Sequence, residues 1–195
     1  MEYDTDTFEN QFPIVKRFVY HYIYYEELFN ASSELESEFW AHTINAHLLQ
    51  AAICWCMVFG SHGCNPTHWK KLSICESSKG LRSSFRQGLL EHTGITLQQW
   101  ENHWEDMNYF RNNHASHREL NYDRPVPEFS LALKVAYFYD KWIRKVISPD
   151  IFEEPPLEES ARALGNTIRP LINRFMEYTK QYNTIAEQGA APKCV

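Results

Sequence analysis

The segment WEDMNYFRNNHASHREL, residues 104–120, puts several reactive side-chain types into one short span. Arg111 and Asn112 are followed after four residues by His117, so a fixed cation, an amide and a titratable imidazole lie close together in the chain. A guanidinium holds a phosphate bidentately and stays charged at any working pH, while an imidazole gives and takes protons near neutrality. Together they suit phosphodiester chemistry. His114, three residues before His117 and on nearly the same helical face, can supply a second acid or base, or stand as a solvated neighbour. Arg, Asn and His are also ordinary residues of a polar helix face, and so short a pattern arises by accident.

The surroundings add weight. FRNNHASHREL resembles the signature of the HEPN superfamily of helical ribonucleases and toxins: Arg, a polar residue, four to six residues, then His. The layout is similar to the abortive-infection branch, with a long helix rich in Trp, Ala and Leu (FWAHTINAHLLQAAICWCMVF) upstream and the Arg-Asn element near mid-chain. The resemblance covers residues 34–150 and rests on Arg111, Asn112 and His117. It implies a helical bundle that dimerises and builds a composite site at the interface. One branch of the superfamily is silenced by an antitoxin that modifies a tyrosine two residues after the His. No tyrosine stands there, and Tyr122 is too far along, so that route does not transfer.

Helix geometry bears on the same point. Six residues of ideal α-helix turn about 600°, leaving Arg111 and His117 about 120° apart around the axis and about 9 Å apart along it. One straight helix cannot aim both at one phosphate. Either the segment bends, or a two-fold partner brings the Arg of one chain to the His of the other. His117 would then act as general base on a ribose 2′-hydroxyl or as general acid on the leaving 5′-oxygen, with Arg111 on the phosphate and Asn112 orienting it. No metal or cofactor is needed for that chemistry, and RNA is cut but not DNA.

Composition sets limits. A chain of 195 residues fits one domain with a sizeable core, residues 1–195, and aromatics at 15% predict a core built largely of rings. With 19 basic against 25 acidic residues, net −6, a general nucleic-acid-binding surface is excluded, so RNA contact must be local, through a few Arg and Lys. The acidic start lacks the basic, apolar pattern of a signal peptide, and no apolar stretch reaches membrane-spanning length, which predicts a cytoplasmic protein. Cys54, Cys56, Cys64 and Cys75 lie in or beside apolar helical sequence and read as reduced core thiols. His62, Cys64 and His68 could hold zinc, but their spacing matches no usual pair of ligand knuckles. His42 and His47, five apart, do not share a face and read as structural or interfacial.

The rest of the pattern predicts an all-α protein, an up-and-down helical bundle with additional peripheral helices. A first helix is expected over 12–29, with Pro13 in its first turn and Ile14, Phe18, Tyr22, Tyr25 and Phe29 on one stripe. Ser32 or Ser33 can cap a second, with Glu34, Glu36 and Glu38 in its first turns. This helix, apolar on most sides and ending at Gly60, is the expected centre of the bundle. A Pro66-initiated helix follows, then 81–92 ended by Thr93-Gly94, and then a helix capped by Thr96 whose stripe Trp100, Trp104, Met107 and Phe110 leads into the motif. Asn112, Asn113 and Ser116 form helix poorly, so the helix should loosen there. An amphipathic helix over 128–147 and a final one over 158–187, kinked or split at Pro170, complete the bundle, with a frayed tail at 188–195.

These expectations converge on a metal-independent endoribonuclease of the toxin or phage-defence kind. Its partners would be RNA, a second copy of itself and an antitoxin or regulatory protein. The rivals are a catalytically silent helical module for dimerisation or partner binding, and a small metal-binding regulator using His62, Cys64 and His68.

Overall fold

The computed structural model describes residues 3–32, 37–72, 78–116, 124–148, 150 and 152–187. Asp4 accepts the Thr7 backbone N–H at 2.7 Å and opens the first helix, α1 (Thr5–Ala31), nearly two turns ahead of the predicted start at Phe12. Pro13 therefore sits inside the helix and not in its first turn. Tertiary contacts outweigh the hydrogen bond that proline removes. Phe8 and Phe12 close on Phe152 with ring centroids 5.4 and 4.4 Å away, and the buried Gln11 donates to His68 O at 2.9 Å and accepts from Tyr139 Oη at 2.9 Å.

Six α-helices and no strand occur among the described residues, so the fold is all-α. After α1 come α2 (Glu38–Phe59), a one-turn 3₁₀ helix (Trp69–Lys71), α3 (Ser78–Thr93), α4 (Leu97–Phe110), a π-helical turn (Arg111–Ser116), α5 (Phe129–Val146) and α6 (Leu157–Glu187). Ser37, not Ser32 or Ser33, precedes α2. Ser32 closes α1 instead, its N–H donating to Leu28 O and Phe29 O, while Ser33, Glu34 and Glu36 lie outside the described residues. Pro66 starts no α-helix; Asn65 and Thr67 fold that segment into turns.

One apolar core runs from Phe12 to Ala161, and a small satellite of Leu28, Ile44 and Met176 joins α1, α2 and α6. The hub is α1, which packs on α2, α5 and α6, whereas α2 is buried mainly in its C-terminal half and leaves Phe39 66% exposed. The expected central α2 gives way to α1 because the 27 residues of α1 reach three other helices.

The buried Asp140 fixes the start of α6: its Oδ2 accepts Leu157 N–H at 3.0 Å while Oδ1 accepts Arg144 Nε–H at 2.9 Å. The helix then runs unbroken through Pro170. Arg169, next to that proline, holds Glu27 of α1 through two hydrogen bonds of 2.8 and 2.6 Å, which tethers α6 where a carbonyl of the preceding turn loses its partner. Residues 188–195, the expected frayed tail, lie outside the described residues. No helix among the described residues is long and apolar enough to cross a membrane.

Candidate functional site: the Arg111 pocket

Helix α4 is the element that presents the motif. Thr96 opens it with a capping box, its Oγ1 accepting Gln99 N–H at 3.2 Å while the Gln99 side chain accepts Thr96 N–H at 2.8 Å. Met107 and Phe110 are fully buried, and Trp104 lies against the core, so the predicted stripe sets the helix rotation. With Phe110 inward, its neighbour Arg111 emerges at the edge of α2.

From Arg111 to Ser116 the chain is a π-helical turn. Its i→i+5 bonding is rare and collects at functional sites. It also changes which residues stack. Five residues of α-helix would leave Arg111 and Ser116 about 140° apart, but the π turn brings both to the wall of one pocket. Asn112, Asn113 and Ser116 hold an α-helix weakly, and the turn packs on α2, which selects the wider form.

The pocket has a volume of about 210 Å³, and among the described residues its lining is Ile53, Cys56, Met57, Ser61, Asn65, Arg111 and Ser116. No carboxylate is in this set. The Nε of Arg111 is buried without a hydrogen-bond partner, and Arg111 forms no ion pair among the described residues. A guanidinium that lines a recess with no carboxylate among its described residues suits an anion. Beneath it lies Cys56, whose S–H donates to Met107 O at 3.5 Å. Burial pushes this thiol up to about 12 although the adjacent Arg111 pulls the other way, so Cys56 stays protonated and is a neutral wall, not a nucleophile.

The loop after α2 forms the opposite wall, and α4 holds it. Trp104 Nε1 donates to Phe59 O at 2.9 Å, and Asn108 Oδ1 accepts both the backbone N–H and the hydroxyl of Ser61, at 3.1 and 3.2 Å. Asn65 is locked from within the loop: it donates to Met57 O at 2.7 Å and accepts from Thr67 N at 3.2 Å. The donors left for a ligand are Arg111 and the exposed Ser116, which has no hydrogen-bond partner among the described residues.

The other predicted residues fall as follows. His117 lies outside the described residues, directly after the π turn in sequence. Asn112 is exposed and does not line the pocket; the amide there is Asn65. His114 is half-buried, its ring 5.0 Å from that of Phe110 four residues back, and it too stands off the pocket. His62 and His68 approach to 5.0 Å between ring centroids, but His68 is committed to the backbone. Its Nδ1 accepts Lys70 N–H at 3.1 Å and its Nε2 meets Gly60 O at 3.1 Å. Cys64 is exposed, contrary to the core role expected for it, because its loop turns at the surface; Cys54 and Cys56 are buried, and Cys75 is outside the described residues. No group of three metal-ligating side chains occurs among the described residues. His47 pairs with His21, their Nδ1 atoms 2.9 Å apart between α1 and α2, while His42 is exposed.

Sequence reasoning missed Ser61, Asn65 and Ser116 as pocket residues. The signal for the first two was Asn-Pro-Thr after a helix-ending Gly, a turn signature that folds the loop back on its helix. The chain matches no protein-family model, no curated protein and no solved structure.

Proposed function

We propose that the protein is a homodimeric endoribonuclease of the HEPN kind, a toxin or phage-defence effector that cuts RNA with Arg111 on the phosphate and His117 as general acid and base. The observation that carries this reading is the Arg111 pocket: a guanidinium with no ion pair among the described residues lines a recess of about 210 Å³ whose described lining holds no carboxylate. Such a recess suits a phosphate, and Ser116 adds a hydroxyl donor beside it.

In the reaction, one His117 imidazole removes the proton of a ribose 2′-hydroxyl and the 2′-oxygen attacks the adjacent phosphorus. The bond from phosphorus to the 5′-oxygen breaks as that oxygen takes a proton from a second imidazole or from solvent, leaving a 2′,3′-cyclic phosphate. Negative charge growing on the phosphate oxygens is met by Arg111. Because the nucleophile belongs to ribose, the chemistry selects RNA. An antitoxin or regulatory protein is the expected means of restraint.

The test is incubation of the full chain with RNA and with DNA of the same sequence in EDTA. RNA fragments ending in 2′,3′-cyclic phosphate or its hydrolysis product are expected, with DNA intact. Intact RNA under all conditions, or cleavage lost on chelation, overturns the reading; the first result is what a silent helical module predicts.

A further inference from the structure

A second recess, of about 450 Å³, opens on the other side of Ser61, which lines both it and the Arg111 pocket. Its floor is aromatic: Trp69 is buried and stacks on Phe85 with centroids 3.9 Å apart. Trp100, Trp104 and His62, all partly exposed, stand around it. Trp104 is fixed in orientation by its bond to Phe59 O. Lys70 and Arg86 complete the rim.

The charge at this rim runs against the rest of the chain. In a protein of net charge −6, Lys70, Lys71, Arg82 and Arg86 gather around this recess, and none forms an ion pair among the described residues. Two elements impose the grouping. The 3₁₀ turn, capped by His68, sets out Lys70 and Lys71, and α3 presents Arg82 and Arg86 four residues apart on one face. Burial, then the charges of Arg86 and Arg82, lower the Lys70 pKa, so these cations repel one another, and none has a carboxylate partner among the described residues. Glu101, on the opposite wall, is the single acidic residue among those lining the recess.

Flat aromatic faces beside clustered cations, in a recess of ligand size, match a ligand that joins a ring system to a fixed anion. We propose that this recess holds a nucleotide unit, its base against Trp100 and Trp104 and its phosphate at Lys70 and Arg86. Glu101 is placed to accept from an exocyclic amine. A free mononucleotide or one nucleotide of a strand would fill the recess alike. In a strand, the chain would continue past the shared wall at Ser61 toward the Arg111 pocket. The inference goes beyond the ribonuclease reading and does not require cleavage.

The experiment follows tryptophan fluorescence and calorimetric heat as the wild-type full chain is titrated with AMP, adenosine, inorganic phosphate and a 2′-O-methyl hexanucleotide. The hexanucleotide lacks the 2′-nucleophile and so persists. AMP and the hexanucleotide should quench and saturate, with adenosine and phosphate each at least about tenfold weaker because stacking or charge alone remains. A hexanucleotide that binds more tightly than AMP identifies a strand as the source; equal affinity identifies the free nucleotide. Arg86→Ala, at an exposed position, and Lys70→Ala should weaken binding, and the double variant, which frees the one phosphate they share, should flatten the salt dependence of hexanucleotide binding by about 0.7 in log–log slope. Trp100→Ala should weaken AMP about tenfold and Trp100→Phe restore it, which separates stacking from a folding defect read by circular dichroism. Phosphate binding as tightly as AMP, or AMP and hexanucleotide binding unmoved by Lys70→Ala and Arg86→Ala, overturns the proposal. Binding without cleavage of ordinary RNA leaves it standing and defeats only the nuclease reading. Cleavage with no binding in this recess does the reverse.

Discussion

Asn108 and Ser61, 47 residues apart, are joined by one side-chain oxygen: Asn108 Oδ1 accepts the Ser61 backbone N–H at 3.1 Å and its hydroxyl at 3.2 Å. Asn108 Nδ2 donates to Trp104 O at 2.7 Å, so the buried amide is satisfied on both sides. One turn further along the same helix stands Arg111. The helix that presents the cation thus also holds the wall opposite it, through Asn108 together with Trp104.

Removing Asn108 should therefore affect the fold and the site together. Asn108→Ala leaves the Ser61 N–H without its acceptor, and losing such a partly exposed hydrogen bond costs about 0.5–1.5 kcal/mol. Urea unfolding should show a loss of that size, and the folded fraction should cleave RNA less well through a raised KM, since the loop is displaced and Arg111 remains. Unchanged stability and kinetics would mean that the clamp is idle. Gly60→Ala tests it from the loop side, because an added Cβ would meet Cys56 O at 2.5 Å and Asn108 Oδ1 at 2.9 Å.

Arg111→Lys preserves charge and removes the planar fork. Lysine should fail to restore cleavage in the Arg111→Ala protein, leaving at least about a hundredfold deficit in kcat, the size typical of losing one donor to a developing oxyanion. Stability should change little, as Arg111 forms no ion pair among the described residues and its neighbour Cys56 stays protonated. Full activity in the lysine variant would reduce the residue to a point charge and remove bidentate phosphate binding from the mechanism.

Stability should fall as the solution is acidified below neutrality. Burial lowers His68 to about 3, assisted by the Lys70 charge, and burial lowers His103 to about 4 against the opposing pull of Glu128 and Asp106. Below the ordinary value of about 6.5 the unfolded chain takes up protons that the folded chain refuses, so unfolding is favoured progressively as the pH drops toward the folded values. The urea midpoint should decrease between about pH 7 and pH 5, where histidine titration dominates. His103→Leu should flatten the decrease, since His103 Nε2 is buried without a hydrogen-bond partner. A midpoint independent of pH over this range would contradict the burial of both rings.

The sequence made the helices legible because their signals are local. The Thr96 capping box, Gly94 at φ +72° after α3 and the Trp100-to-Phe110 stripe each appear where spacing puts them. The errors have a common cause in contacts between distant residues. Gln11 bonded to Tyr139 and Phe12 packed on Phe152 carry α1 through Pro13, and Arg169 on Glu27 supports α6 beside Pro170. Loosening at Asn112 and Asn113 was readable from propensity, but the π form, and with it the meeting of Arg111 and Ser116, depends on packing against α2. The Arg111 half of the site was therefore visible as a residue type and not as a pocket.

The last prediction asks where the two halves of the site come from. The α-helical arithmetic that separates Arg111 from His117 by about 120° no longer applies, because the first five of those six steps form a π turn. A site shared across a two-fold interface and a site within one chain are therefore both open to test by complementation. Arg111→Ala and His117→Ala homodimers should each be inactive. Mixed, and after subunit exchange is verified with differently tagged chains, one protomer still supplies His117 and the other Arg111. A shared site then regains one complete set, and activity should return to a fraction of wild type. A site within one chain stays incomplete in both, so no activity returns. Wild type mixed with the double variant separates that result from a need for both copies of each residue, because only a one-chain site survives intact in that dimer. A monomer at micromolar concentration by light scattering, or wild-type cleavage by both single variants, would remove the composite site.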